Sequence, residues 1–139
     1  MNEYRFEDIY VGMEEAFSVT ITEEMMSHFT EITGDINPLH NDEDFAKAMH
    51  HPSRVVYGML TASFISTLGG VYLPGKYCLI QGVEVKFAKP VYIGDVLLVS
   101  GKVTELHESV GQLTIKVTIK NQDGTTVCKG KLKAGVMTE

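Results

Sequence analysis

The sequence predicts an α+β fold in which a curved antiparallel β-sheet wraps around a central α-helix. Three observations point there. Hydrophobic spacing is helical in the first half of the chain and alternating in the second. The segment from Val55 to Leu68 carries no charge, the pattern of a helix buried on most sides. Four or five strands downstream share one apolar face, which must be covered. Laying the sheet around that helix covers both.

The elements follow in order. A short strand is expected around Ala16 to Ile21. Thr22 can cap the helix after it, with Glu23 and Glu24 favourable in the first turn. Met25, Met26, Phe29 and Ile32 give this helix one apolar stripe, and Gly34 stands where a left-handed stop is easiest. A second short helix is expected after Asn41 or Asp42, turning Phe45, Ala46, Ala48 and Met49 inward. The uncharged helix is expected to begin around Val56 or Tyr57 and to end at Gly69-Gly70. Beyond Leu73-Pro74-Gly75 the period becomes two. Leu79, Gln81, Val83, Val85 and Phe87 fall on one side of a strand, and Val96 to Glu105 forms another. Leu113, Ile115, Val117 and Ile119 alternate with polar residues, and Asn121 to Gly124 is a reverse turn. The final strand, Thr126 to Ala134, sets Lys129, Lys131 and Lys133 on one side.

Composition narrows the function. With 44% hydrophobic and 22% charged residues, the 139-residue chain is neither disordered nor fibrous, and a single domain over 1–139 is expected. Twelve Lys and Arg against 18 Asp and Glu give a net charge of −6. No long basic run offsets it, which disfavours nucleic acid or a membrane surface as partner; the last strand's lysines read as a solvated face. No apolar stretch of about 18 residues exists to span a membrane. Met1 to Asp8 is acidic and lacks the apolar run of a signal peptide. Cys78 and Cys128, without a Cys-x-x-Cys, read as two buried thiols in a reducing cytoplasm.

The chemistry concentrates in Thr33-Gly34-Asp35-Ile36-Asn37-Pro38-Leu39-His40. Pro38 fixes its own φ and holds Asn37 extended, so the stretch cannot be continuous helix. Asp35 and His40 therefore sit on a stiffened connection between helices, where a carboxylate and an imidazole can converge for proton transfer. Asp after Gly and Asn before Pro are also ordinary turn residues, and spacing alone favours the plain turn. Gly58, in the first turn of the uncharged helix, offers an N–H able to polarise a carbonyl, or simply close packing. Ser63 and Ser66 lie on the same helix. Their default partner is the carbonyl one turn back, though either can support Asp35. His28, His40, His50 and His51 match no standard metal spacing, and no phosphate loop or Gly-x-Ser-x-Gly elbow is present.

These residues carry a family resemblance. Phe29-Thr30-Glu31-Ile32-Thr33-Gly34-Asp35-Ile36-Asn37-Pro38-Leu39-His40, followed after five residues by Ala46, resembles the signature of (R)-specific enoyl-CoA hydratases. These belong to the MaoC-like dehydratase branch of the hotdog superfamily. Val55-Val56-Tyr57-Gly58-Met59-Leu60, Leu73-Pro74-Gly75 and Phe87 to Asp95 extend the similarity over nearly the whole chain. The resemblance implies a hotdog fold, a homodimer, and reversible hydration of trans-2-enoyl-CoA to (R)-3-hydroxyacyl-CoA with no metal or redox cofactor. By position it implies that Asp35 and His40 activate water, that the Gly58 N–H binds the thioester oxygen, and that Ser66 is a supporting hydroxyl. Where the family often has His before the glycine, this chain has Tyr57, a change that leaves the glycine N–H in place and bears on pocket shape. Related readings are a 3-hydroxyacyl-acyl-carrier-protein dehydratase and a non-catalytic acyl-thioester binding module.

Overall fold

Thr22 and Gly34 bound the first long helix. In the computed structural model, which describes residues 1–139, strand β1 (Glu14–Thr20) leads into α1 (Glu23–Thr33). The Thr22 hydroxyl accepts the Met25 N–H at 3.2 Å, and Gly34 ends the helix at φ 72°, left-handed backbone that costs glycine nothing. Two short helices follow: α2 (Pro38–Asn41), and α3 (Glu43–Ala48), capped by Asp42. Of the four residues expected to turn inward from the second, only Ala46 is buried; Phe45, Ala48 and Met49 are exposed. A six-residue helix on the outside of the molecule has only one small residue pressed against the core.

The central helix, α4 (Gly58–Thr67), starts later than the uncharged run suggests and continues as a π-helical turn over Leu68–Tyr72. Val55 and Val56 are extended instead. Val55 forms a bridge to Tyr92, and the Val56 N–H donates to the Val91 carbonyl at 2.8 Å. Absence of charge marked burial there, not helix.

The remaining strands are β2 (Cys78–Phe87), β3 (Val96–His107), β4 (Gln112–Lys120) and β5 (Thr126–Val136). They join β1 in one antiparallel sheet of order β1-β3-β4-β5-β2, leaving β1 and β2 as edges. Leu113, Ile115, Val117 and Ile119 of β4 are fully buried, as their alternation predicts, and their neighbours Val99, Val103, Cys128 and Leu132 are too. Each such side chain contributes about 1.5–3 kcal/mol on burial. Leu68 of the central segment lies against this face. It gets close because Gly101 has no side chain: a Cβ there would stand 2.9 Å from Leu68 and 2.8 Å from Ile115. This is the hotdog arrangement of sheet around helix.

Two expectations need correction. Between Ile80 and Gly82 the β2–β5 register slips by one residue, so the strand's alternation changes phase. Cys78 and Ile80 approach the central segment at Gly69, whereas the Gln81 side chain bonds Gln112 at 2.6 Å on the other side. Leu79 and Gln81 thus do not share a face with Val83, Val85 and Phe87. The central helix, moreover, is not buried on most sides within one chain. Leu60, Thr61 and Ile65 are covered, while Met59, Ser63 and Ser66 are exposed, the first two beside Val83 and Val85 of the open β2 edge. Lys129, Lys131 and Lys133 are solvated as expected, and both cysteines are unpaired thiols. No helix is long and apolar enough to cross a membrane.

Candidate active site

The bend between α1 and α2 is built from side chains bonding to nearby main chain. The Asp35 N–H donates to Thr33 Oγ1 at 3.2 Å, the Asn37 N–H to Asp35 Oδ1 at 3.0 Å, and the Leu39 N–H to Asn37 Oδ1 at 2.9 Å. Asn37 adopts φ −54° and ψ 130°, the extended geometry that Pro38 imposes, and α2 starts at that proline. One Asp35 oxygen is thus engaged in the turn and the other is left over.

His40 falls within α2 rather than on the loop before a helix. It is tied to the residues ahead of α4 in both directions. The Val55 N–H donates to the Leu39 carbonyl at 3.1 Å, and His40 Nδ1 lies 2.6 Å from the Val55 carbonyl oxygen. A carbonyl only accepts, so Nδ1 bears the hydrogen, and the neutral ring is left with Nε2 as an acceptor. The β-bridge at Val55 and the α2 turn together orient the imidazole.

Asp35, His40 and Gly58 line one cleft of about 800 Å3, with Ser63, Val85 and Phe87 on its walls. Gly58 is the first residue of α4, so its N–H has no acceptor within its own helix. It also packs closely, since a Cβ there would stand 3.2 Å from the Phe87 ring. Of the two serines, Ser63 donates to the Leu60 carbonyl at 2.6 Å and lines the cleft, while Ser66 is exposed farther along the helix and lines neither cavity described here. A smaller cavity of about 340 Å3 meets the first at His40, Gly58 and Phe87. Thr61 lines it and is buried, with an Oγ1 that finds no partner in the protein, a polar point in a largely apolar wall. His51 lines the smaller cavity with His40 and pairs with the Tyr92 hydroxyl at 3.1 Å, but no three His, Cys, Asp or Glu side chains gather as a metal would require.

The model of the MaoC-like domain matches residues 10–126. The chain belongs to that family. An (R)-specific enoyl-CoA hydratase of Rhodospirillum rubrum is 35% identical over 113 residues, covering 81% of this chain and 78% of that protein. The solved structure of the (R)-hydratase from A. caviae involved in PHA biosynthesis superposes with a TM-score of 0.90 at 30% identity, covering 94% of this chain and 99% of that one. A mitochondrial 3-hydroxyacyl-[acyl-carrier-protein] dehydratase of Arabidopsis thaliana is 30% identical over 76% of this chain and 64% of its own length. This MaoC-like chain is thus an enzyme of the lyase kind, with hydratases and dehydratases for relatives.

Sequence reasoning missed how much of the site Tyr57 organises. Its ring is 2% exposed and sits between Phe29 and His40, with centroid distances of 4.5 and 4.2 Å. A phenol in a stretch without charge was the available signal, because a buried phenol needs polar partners.

Proposed function

We propose that this single MaoC-like hotdog domain reversibly hydrates trans-2-enoyl-CoA to (R)-3-hydroxyacyl-CoA. The observation that carries the reading is the meeting of Asp35, His40 and the first N–H of α4 in one cleft. The free oxygen of Asp35 and Nε2 of His40 hold a water between them. Conjugation to the thioester makes C3 electrophilic. As the water oxygen bonds to C3, one water proton passes to this pair and C2 takes a proton back from it, so the enzyme ends as it began. Negative charge gathers on the thioester oxygen during addition, and the Gly58 N–H aimed at it stabilises that state. Ser66 is the supporting hydroxyl that the family pattern implies, although it stands exposed and outside the cleft lining. No metal or redox step is needed for this addition.

The same residues run in reverse would dehydrate a 3-hydroxyacyl group. The Arabidopsis relative's name favours an acyl-carrier-protein thioester as the second substrate reading. The cleft opens beside the unpaired β2 edge, where Val83, Phe87 and Met59 are exposed. An apolar edge of this kind is covered by a second copy, and a homodimer is part of the proposal. The compartment we assign is the cytoplasm, where Cys78 and Cys128 stay reduced.

The decisive assay adds the full chain to crotonyl-CoA and to its acyl-carrier-protein counterpart, following loss of enoyl absorbance and product stereochemistry. Formation of the (R)-3-hydroxy thioester is expected; an (S) product or no turnover of either removes the assignment. A monomer mass of 15.4 kDa by light scattering at micromolar concentration would remove the dimer.

A further inference from the structure

The Tyr57 hydroxyl touches three separate elements. It donates to the main-chain carbonyl of Asp35 at 2.6 Å, a contact in which the carbonyl can only accept. Asn41 Nδ2, at the end of α2, donates to it at 3.0 Å. Thr30 Oγ1, in the last turns of α1, is 2.7 Å away. Proton counting fixes the direction of this third bond. The one Tyr57 hydrogen is committed to Asp35, so Thr30 must donate, and the phenol is then saturated with one bond given and two received. Thr30 Oγ1 also lies 3.0 Å from the Met26 carbonyl, to which it stops donating when it turns to Tyr57. That carbonyl keeps a helical acceptor role, so nothing is orphaned.

The geometry points to Tyr57 as the residue that positions the Asp35–His40 pair. Its hydroxyl fixes the acid through the backbone rather than the carboxylate, leaving the carboxylate free for chemistry. Its ring, 4.2 Å from the imidazole centroid, sets the face on which His40 rests, while the Val55 carbonyl sets the ring's rotation. Asp35 itself is exposed, as are Gly34, Ile36, Asn37 and Pro38 around it. Nothing apolar anchors residues 34 to 38, and the buried Tyr57 side chain reaches their main chain from the start of α4. The same residue precedes Gly58, so the acid and the proposed oxyanion N–H are referred to one buried anchor. A misplacement of about 1 Å in such a constellation costs up to about a hundredfold in rate.

This role in turnover rests on the hydratase reading, whereas the mechanical tie does not. Tyr57→Phe keeps the ring against Phe29 and His40 and removes only the hydroxyl. For the full chain hydrating crotonyl-CoA, we expect kcat to fall between about tenfold and a hundredfold with KM within about threefold, because binding groups stay while reacting groups drift. Hydrogen exchange read by mass spectrometry should accelerate across residues 34–37, with residues 58–67 still protected. Unchanged kcat with unchanged exchange in the bend overturns the proposal. So does a loss of protection throughout the sheet, which would make the hydroxyl a general stabilising group. If the wild-type chain turns over no enoyl thioester, the hydratase reading falls by itself, and exchange in the bend alone decides whether Tyr57 holds it.

Discussion

The bend at residues 34–40 and strand β4 are opposites in construction. In β4, four alternate side chains are fully buried, and each is held by neighbours on β3 and β5. The bend is exposed from Gly34 to Pro38 and is held by side chains bonding to their own local main chain, by a reach from Tyr57, and by the ties of Leu39 and His40 to Val55. Stability therefore resides where no reacting group stands, and the proposed chemistry resides where little apolar area is buried. That separation lets the bend's residues be chosen for proton transfer without opening a hole in the core.

The largest expected effect tests the chemical side. Asp35→Asn keeps an oxygen to accept the Asn37 N–H but removes the proton acceptor. Its kcat on crotonyl-CoA should fall by about 10²-fold or more, the scale of a lost general base, with a melting temperature close to wild type. A large drop in melting temperature would show that the bend is load-carrying for the fold, and the contrast with β4 would fail. Leu132→Ala tests the other side. Leu132 is fully buried on β5, facing Ile115 and packed near Gly69 of the central segment. Truncation should cost about 2–5 kcal/mol in a denaturant melt, much of a small domain's stability. The molecules still folded should keep a kcat far nearer wild type than Asp35→Asn does. A mutant with unaltered midpoint would mean the side chain is not part of the core.

The contrast also accounts for what could be read from sequence. Strong alternation in β4 and β5 and the Thr22 and Gly34 helix signals were legible because each depends on nearest neighbours in the chain. The bulge in β2 was not, since Gln81 and Gly82 look like any strand residues until Ala134 and Lys133 fix the register across from them. The uncharged run overshoots the start of α4 by a few residues because Val55 and Val56 are covered by tertiary contact with Val91 and Tyr92, which no local period reports. Asp35, His40 and Gly58 could be named, through proline chemistry and family resemblance, but not how they are held. Tyr57's hold on Asp35 joins residues 22 apart in the chain, and the Val55 carbonyl's hold on His40 joins residues 15 apart.

Asn37→Ala is the sharpest probe of the contrast, because Asn37 both caps α2 and takes part in the local bonding that holds the bend. Its side chain caps α2 by accepting the Leu39 N–H at 2.9 Å, and its carbonyl accepts from Asn41 Nδ2, the same amide that bonds Tyr57. Losing the cap should cost about 1 kcal/mol, a modest shift in a denaturant midpoint. His40 rides on this single turn, however, so a frayed α2 moves the imidazole relative to Asp35 while the Val55 carbonyl keeps hold of only one nitrogen. The loss in kcat should therefore exceed the roughly tenfold that about 1.4 kcal/mol corresponds to, even though the fold barely notices. A kcat within twofold of wild type, alongside the expected shift in midpoint, would show that the ties to Val55 alone position His40 and that the cap serves the helix and not the chemistry.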